Sequence, residues 1–149
     1  MNETVTKIRV MLADDHPVVR DGLAAIVNQQ PDMEVVVEAG DGEQAIAFYE
    51  QHLPDVLLLD LRMPKCDGVT VVQKVLESHP KARVLIITTY DGDEDIFRSL
   101  SQGAKGYLLK DAPRQEILSA IRAVADDRPY TSSAVAAKAL LYGDRKSVV

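Results

Sequence analysis

Residues 56–60 read Val-Leu-Leu-Leu-Asp, four apolar positions in a row that run straight onto a carboxylate. A strand with one wet face alternates polar and apolar residues, whereas a strand covered on both faces is apolar throughout. Residues 84–88, Val-Leu-Ile-Ile-Thr, repeat the pattern. Two such runs belong at the centre of a parallel sheet layered by helices on both sides. Similar short runs occupy Ile8–Ala13, Glu34–Ala39 and Gly106–Leu109, and the run around residue 84 opens at Arg83.

Helical spacing fills the gaps. Val19, Leu23, Ile26 and Val27 form one stripe, opened by Pro17, whose missing N–H costs nothing in a first helical turn, and bounded by Pro31. Ala45, Ile46 and Tyr49 line a second face; Val72, Val75 and Leu76 a third; Ile96 and Leu100 a fourth; Ile117, Leu118, Ile121 and Val124 a fifth. Strands alternating with helices imply right-handed crossovers between parallel strands. The expectation is an open, doubly wound α/β sheet of five strands and five helices, complete by about residue 126. Residues 127–149 read as a linker or an extra C-terminal helix: Thr131, Ser132 and Ser133 offer N-caps, and Val135, Ala136, Ala139 and Leu140 form a short apolar stripe.

Composition narrows the function. A chain of 149 residues fits one domain with a small appendage. Its 17 basic and 23 acidic residues give 17 − 23 = −6, which does not draw in nucleic acid or anionic lipid. The single cysteine, Cys66, excludes an internal disulfide and fits a reducing compartment. Met-Asn-Glu-Thr-Val-Thr-Lys carries no apolar signal core, and no run approaches the roughly 18 apolar residues of a membrane span. A cytoplasmic protein is expected.

In an open α/β sheet, ligands bind beyond the carboxyl ends of the strands, near the point where strand order reverses. Asp14 and Asp15 follow the first run, Asp60 the third, Thr88 ends the fourth and Lys110 follows the fifth. Three carboxylates in one crevice raise each other's pKa, and a hard divalent cation relieves them. Mg²⁺ takes oxygen ligands, keeps several waters and bridges carboxylates to phosphate, so Asp14, Asp15 and Asp60 are the candidate Mg²⁺ site. The competing reading is that the Asp-Asp pair merely caps the helix at Pro17. For phosphoryl transfer, Lys110 and Thr88 supply an ammonium and a hydroxyl for the equatorial oxygens, and Asp60 is the best-placed nucleophile for an aspartyl phosphate. Read singly, Lys110 is an ordinary ion-pair partner and Thr88 an ordinary strand residue.

The motifs Ala13-Asp14-Asp15-His16, Leu59-Asp60-Leu61-Arg62-Met63-Pro64, Asp67-Gly68, Thr88-Thr89 and Gly106-Tyr107-Leu108-Leu109-Lys110, in this order, resemble the response-regulator receiver domain of two-component signalling. The resemblance covers roughly residues 7–126. It implies a flavodoxin-like (CheY-like) fold with strand order 2-1-3-4-5 and phosphorylation of Asp60 by a sensor histidine kinase. It also implies Mg²⁺ held by Asp15, Asp60 and the Arg62 backbone carbonyl, with Asp14 acting through water. Lys110 would bridge to the phosphoryl group, Thr88 would swing toward it, and Tyr107 would be the aromatic switch. Leu-Leu-Lys-Asp and Thr-Thr-Tyr-Asp look most like the LuxR/NarL-type subgroup, whose members carry a helix-turn-helix domain; no such domain lies within these 149 residues. The output implied is homodimerisation or control of a DNA-binding domain, hence of transcription. Asp111 stands where many receivers have Pro, which comes later at Pro113.

Several residues are left in ordinary roles. His16 could be called a metal ligand but reads better as a helix-start residue beside the pocket, since imidazole is not a typical Mg²⁺ ligand. Cys66 has no histidine beside it in sequence, and Asp91, Asp93, Glu94 and Asp95 suit the start of a helix. Arg62 and Tyr90 sit where receivers tune aspartyl-phosphate lifetime. A phosphatase of the haloacid-dehalogenase class would need an acid two residues after Asp60, where Arg62 cannot donate a proton at neutral pH. A flavodoxin-like nucleotide binder would need a Gly- or Ser-rich loop where Ala-Asp-Asp-His-Pro stands. A receiver that has lost phosphorylation would not keep all five key residues. The expected protein is therefore an acceptor and switch, capable of autodephosphorylation, rather than an enzyme that turns over external substrates.

Overall fold

The computed structural model describes residues 6–89, 93–128 and 130–131, the side chains of 93–97 and 131 excepted. Strands and helices alternate as β1 (Ile8–Ala13), α1 (Pro17–Asn28), β2 (Met33–Ala39), α2 (Gly42–His52), β3 (Val56–Leu59), α3 (Gly68–Ser78), β4 (Val84–Thr88), α4 (Asp93–Gln102), β5 (Gly106–Leu109) and α5 (Arg114–Ala125), followed by β6 (Tyr130–Thr131). All pairings are parallel and the sheet order is β2-β1-β3-β4-β5-β6. The first five strands follow the 2-1-3-4-5 order.

The unbroken apolar runs are the central strands, and their side chains divide between two cores. Leu57, Leu59, Val84 and Ile86 pack with α2 and α3; Val56, Leu58, Leu85 and Ile87 pack with α1 and α5. All eight are at most 1% exposed. Burying each such side chain contributes about 1.5–3 kcal/mol, which makes the sheet a rigid mount for whatever projects from its rim. β1 lies between β2 and β3, so the chain moves to one side of it and then to the other. The carboxyl ends of β1 and β3 therefore flank the reversal point.

Helix starts are set by local chemistry. Asp41 Oδ1 accepts from the Gln44 N–H at 2.8 Å and Asp67 Oδ1 from the Thr70 N–H at 2.9 Å, capping α2 and α3. Pro17 opens α1 as expected, but its N-cap is His16, whose side chain makes no capping bond. The Asp14–Asp15 pair does not cap that helix.

A two-residue sixth strand extends the expected five-stranded sheet at its β5 edge. Past α5, Asp127 adopts φ 61° and its carboxylate takes a two-pronged bond from Arg83 at 2.9 and 3.0 Å. The chain then returns along β5: the Tyr130 N–H donates to the Lys105 carbonyl at 3.1 Å and the Tyr130 hydroxyl to Glu116 at 2.9 Å. Gly106 permits the approach, since a Cβ there would lie 2.5 Å from the Tyr130 carbonyl oxygen. A two-residue strand has no periodicity to read, and its side-chain anchors are far away in sequence. The helix expected around Val135–Leu140 lies outside the described residues, as do Tyr90, Asp91 and Gly92. α4 begins at Asp93, within the acidic run expected to open it.

Candidate functional site

The β1–β3 ladder brings the carboxylates together. Ala13 pairs with Leu59, the Asp60 N–H donates to the Ala13 carbonyl at 2.9 Å, and the Asp14 N–H donates to the Ala39 carbonyl at 3.0 Å. Both aspartates are thus held by continuations of the sheet, and each is only 1% exposed. The loop after Asp60 folds back on itself. The Arg62 N–H reaches Asp60 Oδ1 at 3.1 Å, and the Gly68 N–H bonds the Leu61 carbonyl at 2.8 Å. Gly68 is required by that turn, because a Cβ there would sit 2.8 Å from the Asp60 carbonyl oxygen. This gives the Asp-Gly motif a steric reason.

Lys110 enters from the end of β5. Its N–H bonds the Thr88 carbonyl at 2.9 Å, and its ammonium lies 3.0 Å from Asp60 Oδ2 and 3.1 Å from Asp14 Oδ2. Burial pushes the Asp60 carboxyl above its usual range, and the nearby Asp14 charge adds to this, against the lowering effects of the Arg62 N–H and of Lys110. Burial alone would lower the Lys110 pKa, but its bonds to Asp60 and Asp14 outweigh that and hold it above the usual lysine value. The Lys110 direction reflects its two carboxylate partners, whereas the Asp60 direction reflects chiefly its burial. Three carboxylates against one ammonium leave a formal −2, the charge of one divalent cation.

The donor set fits such a cation. Asp14, Asp15, His16 and Asp60 each offer a ligand atom, and these lie within 4.8 Å of one another. Asp14 Oδ2 is buried with the Lys110 ammonium as its ion-pair partner, and Asp15 Oδ1 is buried without a hydrogen bond. An acidic pocket of this shape can bind a metal, and oxygen donors favour the Mg²⁺ class. Backbone bonding puts residue 62 beside Asp60, while the Arg62 side chain is exposed.

Two predicted residues stand off from the cluster. Thr88 is buried and shares with Thr89, Leu109, Lys110 and Asp111 a cleft of about 170 Å³ next to the carboxylates. Tyr107 is fully buried, in the core cluster on the α2 and α3 side of the sheet. His16, expected as a helix-start residue beside the pocket, is the N-cap of α1 and borders the cluster: its Nδ1 lies 3.0 Å from Asp14 Oδ1 and 3.1 Å from Asp15 Oδ1. Its position directly after the acidic pair was the available signal. Arg20 belongs to no motif in the sequence, yet its Nη1 bonds the Asp14 carbonyl at 2.6 Å and its Nε pairs with Glu38 at 3.2 Å, fixing the loop from behind.

Fold and site together define a doubly wound α/β domain with a cation-ready acidic crevice at its switch point, faced by a lysine. Residues 10–122 match the response regulator receiver domain family, and the chain belongs to it. It is 44% identical over 132 residues to an uncharacterized transcriptional regulatory protein, YxjL, of Bacillus subtilis (strain 168), covering 89% of this chain and 61% of that protein. Against the oxygen regulatory protein NreC of Staphylococcus carnosus it is 48% identical over 118 residues, 78% of this chain and 54% of that one. Among solved structures, a LuxR-family two-component response regulator from Aurantimonas sp. SI85-9A1 superposes with TM-score 0.86 at 31% identity, covering 92% and 98% of the two chains. The chain is thus a receiver of the NarL/NreC type of response regulator, and it spans a little over half the length of the curated relatives it matches. No helix among the described residues is long and apolar enough to cross a membrane.

Proposed function

We propose that this domain accepts a phosphoryl group on Asp60 and uses it to bias a two-state surface that controls an output. The observation that carries the reading is the Lys110 ammonium 3.0 Å from the buried Asp60 Oδ2, beside two further aspartates. Asp14, Asp15, Asp60 and the residue 62 backbone would hold Mg²⁺, which would neutralise the transferring oxygens and bring the donor close. A carboxylate oxygen of Asp60 attacks phosphorus as the P–N bond of a phosphohistidine breaks, the freed imidazole retaining its electron pair. With a small acyl phosphate, the P–O bond breaks and a carboxylate leaves. Lys110 holds one new phosphoryl oxygen as a fixed positive charge, and Thr88 turns its hydroxyl toward another. Rearrangement of Thr88 alters the packing of Tyr107, which pairs with Ile86 of the neighbouring strand, and so the α4–β5–α5 face.

A phosphohistidine donor implies a sensor histidine kinase as partner and a cytoplasmic setting. The output is argued from the relatives. Residues to about 126 form the receiver and residues 127–149 serve as a linker or extra helix, and the switched surface controls dimerisation or a DNA-binding output, hence transcription. Such a switch is a stoichiometric acceptor that can lose its own phosphoryl group, rather than an enzyme acting on external substrates. The test is intact-mass measurement after incubation with acetyl phosphate and Mg²⁺. One added phosphoryl group, absent in Asp60→Asn, is expected; no addition, or addition to that variant, overturns the reading.

A further inference from the structure

Arg20, the fourth residue of α1, is placed against the local electrostatics. A cation in the opening turns of a helix opposes the helix dipole. Its ionic partner Glu38 does little to offset this, because the two side chains are 22% and 39% exposed and so open a pair contributes little stability. The short bond that the guanidinium makes is to backbone: Nη1 donates to the Asp14 carbonyl at 2.6 Å, while Glu38 Oε1 holds Nε at 3.2 Å.

That carbonyl is a lever on two carboxylates. The Asp14 C=O and the Asp15 N–H belong to one rigid peptide plane. Fixing the oxygen restrains the Asp14 ψ and the Asp15 φ, and with them the directions in which both side chains leave the chain. The segment is clamped from the other side as well, since the Asp14 N–H donates to the carbonyl of Ala39, the residue after Glu38 at the end of β2. Asp14 has further support from the His16 N–H at 2.8 Å and the Lys110 ammonium at 3.1 Å. Asp15 has less. Its Oδ1 is buried without a hydrogen bond, and His16 Nδ1, 3.1 Å away, belongs to a ring more than half exposed. The aim of the Asp15 carboxylate therefore comes from its backbone, which Arg20 holds.

We propose that Arg20 is a positioning residue for the crevice: its guanidinium fork, braced by Glu38, orients the Asp14–Asp15 peptide and so sets how tightly the site holds its divalent cation. Nothing reacts at Arg20 itself. The fork is the active feature, since a lysine offers a single ammonium where two acceptors must be bridged. The inference rests on the crevice being a cation site, and the experiment separates the two.

The ¹³C,¹⁵N-labelled full chain is titrated with Mg²⁺ by NMR as wild type, Arg20→Met, Arg20→Lys and Glu38→Gln, with Tyr130→Phe as a control remote from the crevice. Thermal unfolding of each in EDTA is recorded alongside. Losing an outer partner of a metal ligand weakens binding by about 10–100-fold, so Arg20→Met should raise the Mg²⁺ Kd about tenfold or more. Arg20→Lys should lose most of the same affinity although its charge is kept. Before any Mg²⁺ is added, the Asp14 carbonyl ¹³C resonance should already move in both Arg20 variants, with the β4 amides unmoved. With acetyl phosphate, the half-saturating Mg²⁺ concentration should rise in Arg20→Met while the rate at saturating Mg²⁺ stays within about threefold of wild type.

An Arg20→Met Kd within about threefold of wild type overturns the assignment. So does full affinity in Arg20→Lys, which would make the charge responsible and not the fork. A Kd raised as much in Tyr130→Phe for the same fall in Tm reduces Arg20 to a structural tie and overturns it too. If Arg20→Met does not fold, Arg20→Lys and Glu38→Gln carry the test, each expected to weaken Mg²⁺ binding by about threefold or more. A wild type that binds no Mg²⁺ refutes the crevice reading itself, whatever the Arg20 variants do.

Discussion

Replacing Lys110 with methionine keeps most of its apolar stem and removes the one ammonium that neutralises the crevice. Lys110 Nζ lies 3.0 Å from Asp60 Oδ2 and 3.1 Å from Asp14 Oδ2, with the three side chains only 12%, 2% and 1% exposed. At an effective dielectric of about 20, each contact carries a gross attraction of about 5 kcal/mol. Much of that is offset by desolvation, and deleting one partner of a buried pair costs about 3–5 kcal/mol. For a domain of this size that is a drop in Tm of roughly 10–15 °C. The pH dependence follows from the directions of the two shifts. Lys110 is raised above 10.5, so its contribution is complete at neutral pH and is lost only as pH rises past that value. Asp60 is raised above 3.8: its penalty is absent below that pH, grows as pH rises through the folded-state pKa and is constant beyond it. Lys110→Met removes two of the influences that hold the Asp60 pKa down, moving its titration higher still. The deficit against wild type should therefore be largest at the highest pH and shrink as pH falls toward the raised Asp60 titration. Urea unfolding followed by circular dichroism in EDTA at pH 5, 6.5 and 8 measures it. A deficit that is flat with pH, larger at pH 5, or under about 1 kcal/mol at pH 8 refutes the reasoning. Mg²⁺ at 100 times its Kd should return about 2.7 kcal/mol to any variant that still binds it.

Three other outcomes are expected. Gly68→Ala places a methyl 2.8 Å from the Asp60 carbonyl oxygen and 2.9 Å from Leu61 Cδ2, so it should cost about 1–3 kcal/mol in thermal unfolding and weaken Mg²⁺ binding by shifting Asp60. Gly106→Val should displace β6 from the sheet edge, seen as faster amide exchange of Tyr130 with slow exchange retained in β3 and β4. Tyr130→Phe removes the 2.9 Å bond to Glu116 and should cost about 0.5–1.5 kcal/mol by denaturant unfolding, with Mg²⁺ binding unaltered.

The central strands were legible because burial on both faces leaves a compositional mark, and Val56–Leu59 and the Val84 run carried it without ambiguity. Strand ends were legible for the same reason: the first polar residue after each apolar run is where the chain leaves the core. That is how Asp14, Asp60, Thr88 and Lys110 could be assigned to one rim from sequence alone. What escaped is what depends on contacts between distant residues. β6 exists because Gly106 leaves room and because Glu116 and Arg83 hold the returning chain, none of which shows as a local pattern. The place of His16 beside the pocket was legible from its position after the acidic pair, and what the sequence did not show is the bond from its own N–H to Asp14 Oδ1 at 2.8 Å. The competing cap reading of Asp14 failed on that same bond, since Asp14 spends its acceptor on the turn before the helix.

The crevice is a local cost that the rest of the fold absorbs. Two carboxylates at 1% exposure, one with its pKa driven upward by burial, oppose folding, and a hydrophobic replacement would leave the rim more stable. The central strands can carry that cost because their side chains are packed on both faces. The crevice responds to its charge state: adding a divalent cation, or converting Asp60 to a group with three acceptor oxygens, changes the partners available to Lys110, which now pairs with Asp60 and Asp14. Lys110 is tied through its backbone to the Thr88 carbonyl at 2.9 Å, and β5 is tied in turn to β6 at Gly106 and Tyr107. A shift in the lysine therefore has a short, hydrogen-bonded route to the outer edge of the sheet.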